Sequence, residues 1–245
     1  MIIAEIGFNH LGCAKAAHRY LDTLLYSDID GITFQIREVL HQKGDAYLYF
    51  DDSHFSSLFS RIKEANKSVG IALADKGYMP LFEGLDVDFY KVIRDGIKDV
   101  ELLDAMRATD KKVFVSTGMA SHDDIYNFVS LIDGNKNFKL VHTQLSYSLE
   151  DCNLSSILTM KEHGVEVAYG SHCLDEVSLF MATCYNPSDL LFYVKEKREL
   201  SYPDDEHAIF LHHVDSIIQR IKKAQKGIGD GIKKQMINKI EEGEK

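Results

Sequence analysis

The sequence predicts a single (β/α)8 TIM barrel, on three observations. Eight short apolar or β-branched runs alternate with amphipathic stretches of helical spacing. The chain is 245 residues long, close to the roughly 250 residues typical of such barrels. The phosphate fingerprint G-x-G-x-x-G does not follow the first run, which argues against the competing doubly wound open sheet.

In chain order the predicted strands are 2–6, 31–35, 69–73, 87–92, 112–116, 138–142, 165–169 and 189–194. Each is short and rich in Val, Ile and Phe, as strands buried on both faces require. Helical spacing of apolar residues marks 14–26, 55–67, 100–108, 122–132, 155–163 and 176–184. A last helix over 207–225, with Ile209, Phe210, Val214, Ile217, Ile218 and Ile221 on one side, would close the ring. No linker or low-complexity tract divides the first 225 residues. The expected organisation is therefore one barrel over 1–226 and a charged tail over 227–245.

Composition excludes several function classes. With 45% hydrophobic and 27% charged residues and three prolines, the chain reads as globular and large enough for a full core. A formal charge of -10 repels nucleic acid and anionic membrane surfaces, so an anionic substrate needs a local basic pocket. No apolar run is long enough to span a bilayer, and Glu5 interrupts what a signal peptide keeps apolar, so a cytoplasmic location is expected. Cys13, Cys152, Cys173 and Cys184 form no C-x-x-C pair and read as reduced thiols.

In such barrels chemistry gathers where strands end and βα loops begin. Those ends read Glu5, Gln35, Lys91 with Arg94, Ser116 with Thr117, His142 with Thr143, His172 and Lys195. Acid, amide, cation, hydroxyl and imidazole together suit a polyhydroxylated anionic ligand. The glycines of the 7–12 loop would let Asn9 and His10 fold over the mouth.

These ends carry a family resemblance. IIAEIGFNHLG, ITFQ, DFYKV, VFVSTGMAS, KLVHTQLSYSLED, VAYGSHCLDE and YPDDEHA, in that order over about 1–230, resemble the strand-end motifs of the N-acetylneuraminate (sialic acid) synthase family. The resemblance implies condensation of phosphoenolpyruvate with an N-acetylated aminosugar such as N-acetylmannosamine, giving a nonulosonic acid for surface glycans. It also implies a possible homodimer. The stretch GIGDGIKKQMINKIEEGEK resembles the connector to the family's small antifreeze-like C-terminal domain, which is expected to be absent.

Residue by residue, the resemblance gives Glu5 a role at the sugar and in proton handling. Gln35 would bond sugar hydroxyls, Lys91 would hold phosphoenolpyruvate, Ser116 would contact phosphate, and Tyr147 would pack on the sugar. Asp175 stands where the family has an acid in the loop after the histidine. Thr33 replaces a phosphoenolpyruvate-binding lysine, Arg94 replaces a serine and is positioned to restore that charge or to block the pocket, and Gly170 replaces a further serine. The family's divalent metal, manganese or magnesium, is held by two histidines. His172 matches one; the second falls on Lys195 or a neighbour, with His10 and His207 as substitutes, so weak metal binding is expected. Three functions follow: a divergent synthase, an impaired paralogue that binds sugar phosphate or an active partner subunit, and a metal-free phosphosugar lyase or isomerase using Glu5 and Lys91.

Overall fold

The computed structural model describes residues 1–36, 52–196 and 201–233. Eight parallel strands run β1 Ile2–Gly7, β2 Gly31–Gln35, β3 Ser68–Leu73, β4 Phe89–Val92, β5 Lys112–Ser116, β6 Phe138–His142, β7 Glu166–Ser171 and β8 Leu190–Lys195. Each pairs with its neighbours in sequence order, and β1 pairs with β8, so the sheet closes into a barrel with no free edge. Around it lie α1 Ala14–Leu24, α2 Asp52–Glu64, α3 Met79–Gly84, α4 Val100–Arg107, α5 His122–Ile132, α6 Ser156–Lys161, α7 Val177–Thr183 and α8 Val214–Ile228.

Side chains alternate along each strand, and this period places the site. Ile3, Phe89, Phe114, Val141, Ala168 and Leu191 form a dry cluster inside the barrel. Two residues further along the same strands stand Glu5, Lys91, Ser116 and Tyr193. The apolar layer is the floor of whatever the barrel mouth holds.

Gly70 on β3 is required by that floor. A Cβ there would lie 2.2 Å from the Phe89 ring, which packs edge-on against Phe114 at 5.4 Å. Gly70→Ala is expected to destabilise the barrel by about 1–3 kcal/mol through overpacking. Adding Phe89→Leu should recover part of the loss, as urea denaturation of the two variants would measure.

Three elements differ from expectation. The helix expected to start at 207 starts at Val214, because β9, Ile209–Phe210, pairs with the end of β8 and a tight turn follows over Leu211–His213. The short α3 escapes detection by periodicity and is started by Pro80 in its first turn. The helix α8 runs on to Ile228, past the expected boundary at 226, and residues 234–245 of the expected tail lie outside the described residues. No helix among the described residues is long and apolar enough to cross a membrane.

Candidate active site

At the C-terminal mouth a cavity of about 300 Å³ is lined by Gln35, Lys91, Arg94, Ser116 and His172, with Tyr193 and Asp204 beside them. Ile93, Met119 and Leu145 give it an apolar wall. Beneath, Lys91 Nζ lies 2.5 Å from Glu5 Oε2, and both side chains are almost wholly buried, 6% and 2% exposed. Strand register sets Glu5 between Thr33 on β2 and Tyr193 on β8. Thr33 is buried and its hydroxyl has no hydrogen-bond partner, so one ammonium faces one carboxylate here.

Arg94 adopts a left-handed backbone, φ 59°, just past the end of β4. It is exposed at the rim, whereas Lys91 is buried at the base of the cavity. A dianion entering the mouth would meet the guanidinium first.

An aromatic stack forms the wall at β7 and β8. The ring of His207 lies face to face with His172 at 4.3 Å and 17°, and Tyr147 stacks on His207 at 5.8 Å. Tyr193 meets both imidazoles edge-on, at 5.6 and 5.1 Å. Burial, then the neighbouring His207 and the Lys91 charge, push His172 down to about 3. Burial, then Lys91 and Lys195, push His207 down to about 4. Both imidazoles are therefore neutral near pH 7.

Several expected site residues are used elsewhere. Tyr147 is half exposed and does not line the cavity; it covers the outer face of His207. Asp175 is exposed and accepts the Val177 backbone N–H at 2.9 Å, holding the turn into α7. Asn9 and His10 do not close over the mouth. Asn9 Nδ2 donates to the Val194 carbonyl at 2.9 Å, and the Asp204 N–H donates to Asn9 Oδ1 at 3.1 Å, tying the first loop to the last. His10 is buried against Phe8 and Phe34. His142 points outward and pairs with the Cys152 carbonyl at 2.8 Å.

Among the described residues the donors for a two-histidine metal do not assemble. At the end of β8 Lys195 pairs with Asp205 at 2.7 Å, the Val194 carbonyl is taken by Asn9, and Glu196 binds Arg19 at 2.7 Å. His207 is beside His172, yet stacked rings aim their in-plane lone pairs along nearly parallel lines, which do not converge on one ion. Among the described residues no group of three or more His, Cys, Asp or Glu is placed to hold a metal. The described residues do not fit the ion that the resemblance implies; residues 197–200, next after Glu196 in the stretch where its second ligand is expected, lie outside the described residues.

A sequence profile of the NeuB family matches residues 12–233. The chain belongs to the NeuB family. Among NeuB relatives, pseudaminic acid synthase of Helicobacter pylori is 22% identical, covering 94% of this chain and 75% of that protein. The N,N'-diacetyllegionaminic acid synthase of Campylobacter jejuni is also 22% identical, over 96% of this chain and 79% of its own. In fold the chain is similar to N-acetylneuraminic acid synthetase of Leptospira borgpetersenii, solved with citrate, at a TM-score of 0.88 and 24% identity, covering 98% of this chain and 89% of that one.

Within this NeuB barrel, reading strand ends missed Tyr193 and Asp204, and offered His207 only as a substitute metal ligand. The signal for Tyr193 was present, since it stands two residues after the inward Leu191. Asp204 and His207 lie within YPDDEHA, whose place over the mouth depends on the β9 pairing and on Asn9.

Proposed function

We propose that this chain is a divergent nonulosonic acid synthase that condenses phosphoenolpyruvate with an N-acetylated aminosugar. The observation that carries the reading is one cavity joining two cations, Arg94 at the rim and Lys91 on its Glu5 partner, to the Gln35 amide, the Ser116 hydroxyl, the neutral His172 and the Asp204 carboxylate. Phosphoenolpyruvate brings a carboxylate and a phosphate, which need fixed cations in a chain of net charge -10. The acceptor brings hydroxyls for Gln35 and an N-acetyl methyl for the apolar wall. Under this reading the enzyme works in the cytoplasm, where its phosphorylated donor is made.

The test is mass spectrometry on phosphoenolpyruvate with a panel of N-acetylated aminosugars, with and without manganese. A 2-keto acid product with release of phosphate is expected from at least one acceptor. No product from any acceptor overturns the reading and favours a binding or partner subunit, which Thr33 and the Lys195–Asp205 pair already recommend as the second reading. Arg94→Ala is expected to weaken phosphoenolpyruvate binding about tenfold by calorimetry, the scale of a lost charged hydrogen bond. Unchanged or tighter binding would mean that Arg94 plugs the mouth.

A further inference from the structure

Tyr193 stands at the centre of the mouth with no role from any motif. It rises from β8 opposite Glu5, lines the cavity, and is 5% exposed. Its hydroxyl donates toward Gln35 Oε1 at 3.5 Å, a long contact that leaves the O–H available to a closer acceptor. Lys91 Nζ sits 5.5 Å from the ring centroid, and the His172 ring abuts it edge-on. The loop above it is shaped to the phenol. Gly7 has φ 54°, and a Cβ there would lie 2.8 Å from Tyr193 Cε1. Burial, with the Glu5 and Asp204 charges, raises the phenol well above its ordinary value, so it stays a proton donor at neutral pH.

We propose that Tyr193 polarises the aldehyde of the acceptor sugar, taking the part that a metal held by two imidazoles would otherwise play. The proposal rests on the condensing reading above. With the acceptor's hydroxyls on Gln35, its carbonyl oxygen comes within reach of the adjoining phenol. The enol π pair of phosphoenolpyruvate forms the new C–C bond to the aldehyde carbon. The C=O π pair moves onto oxygen, which takes the proton of Tyr193. Water adds to the resulting cation at the donor's C2, and the proton it loses returns to the phenolate. Collapse of that tetrahedral carbon to the ketone breaks its bond to the phosphate oxygen, and phosphate leaves with the remaining hydroxyl proton. A preorganised donor in a buried site acts most strongly where negative charge develops, which is the aldehyde oxygen.

The experiment compares the unmodified protein with Tyr193→Phe, each assayed by product mass spectrometry after chelator treatment and again with added manganese. Tyr193→Phe keeps the ring beside Lys91 and His172 and removes only the hydroxyl. The unmodified protein should turn over after chelation. The variant should melt within a few degrees of it and keep an acceptor KM within a few-fold, while kcat falls about a hundredfold or more. A structural role would move melting or KM instead of kcat. Turnover that disappears on chelation and returns with manganese, or a Tyr193→Phe kcat close to that of the unmodified protein, overturns this proposal and leaves the condensing reading standing. Absence of product in every arm overturns both.

Discussion

Glu5→Ala is expected to destabilise the fold by about 3–5 kcal/mol, the largest effect of any single substitution at the mouth. Lys91 Nζ lies 2.5 Å from Glu5, and neither side chain has appreciable access to water. Removing the carboxylate leaves an ammonium buried above the apolar floor of Phe89 and Phe114 without the partner that holds it. The paired replacement Glu5→Leu with Lys91→Met removes both charges and should restore most of the stability, because desolvating an ion pair offsets much of its attraction. Urea denaturation of both variants decides the matter. A loss below about 1 kcal/mol in Glu5→Ala would show that water reaches Lys91 as it reaches a surface pair.

Acid should unfold this protein at an unusually high pH. Burial pushes His10 down to about 3, and His172 and His207 are held at about 3 and about 4. His10 is fixed as the neutral tautomer, since its Nδ1 accepts the Gly12 N–H at 3.1 Å. In the unfolded chain each imidazole titrates near 6.5. Between that value and the folded one the unfolded state binds the proton and the folded state does not, so stability rises with pH and falls on acidification. Each histidine contributes up to about 1.4 kcal/mol per pH unit, and the three together about 4. Urea midpoints should therefore drop sharply between pH about 6.5 and about 4. His10→Gln, which keeps an acceptor for Gly12, should remove about a third of what these three histidines contribute to the slope. Midpoints that stay level across that window would mean the imidazoles charge inside the fold.

The strand pattern and the polar strand ends were legible because both are local properties. A run such as Lys112–Ser116 or Phe138–His142 declares its own period, and the structure keeps both boundaries. Alternation then fixes which residues face inward, so Gln35, Lys91 and Ser116 were bound to meet once the ring closed. The resemblance in STGMAS and YGSHC pointed to the same mouth.

Pairing across the mouth is another matter, because it depends on register, closure and loop return. Glu5 and Lys91 are 86 residues apart, and only the closed barrel sets them opposite each other. No spacing in the chain says that Lys195 pairs with Asp205 or that His207 comes back to lie on His172. Those outcomes follow from the β9 pairing and from Asn9 bridging the first and last loops. By itself the sequence determined the barrel, its apolar floor and the polar residues at its mouth, since periodicity and strand propensity act between near neighbours. Tertiary structure alone decided which of those charges are already paired and that Tyr193 takes the centre, since contacts between distant residues exist only once every strand has its register.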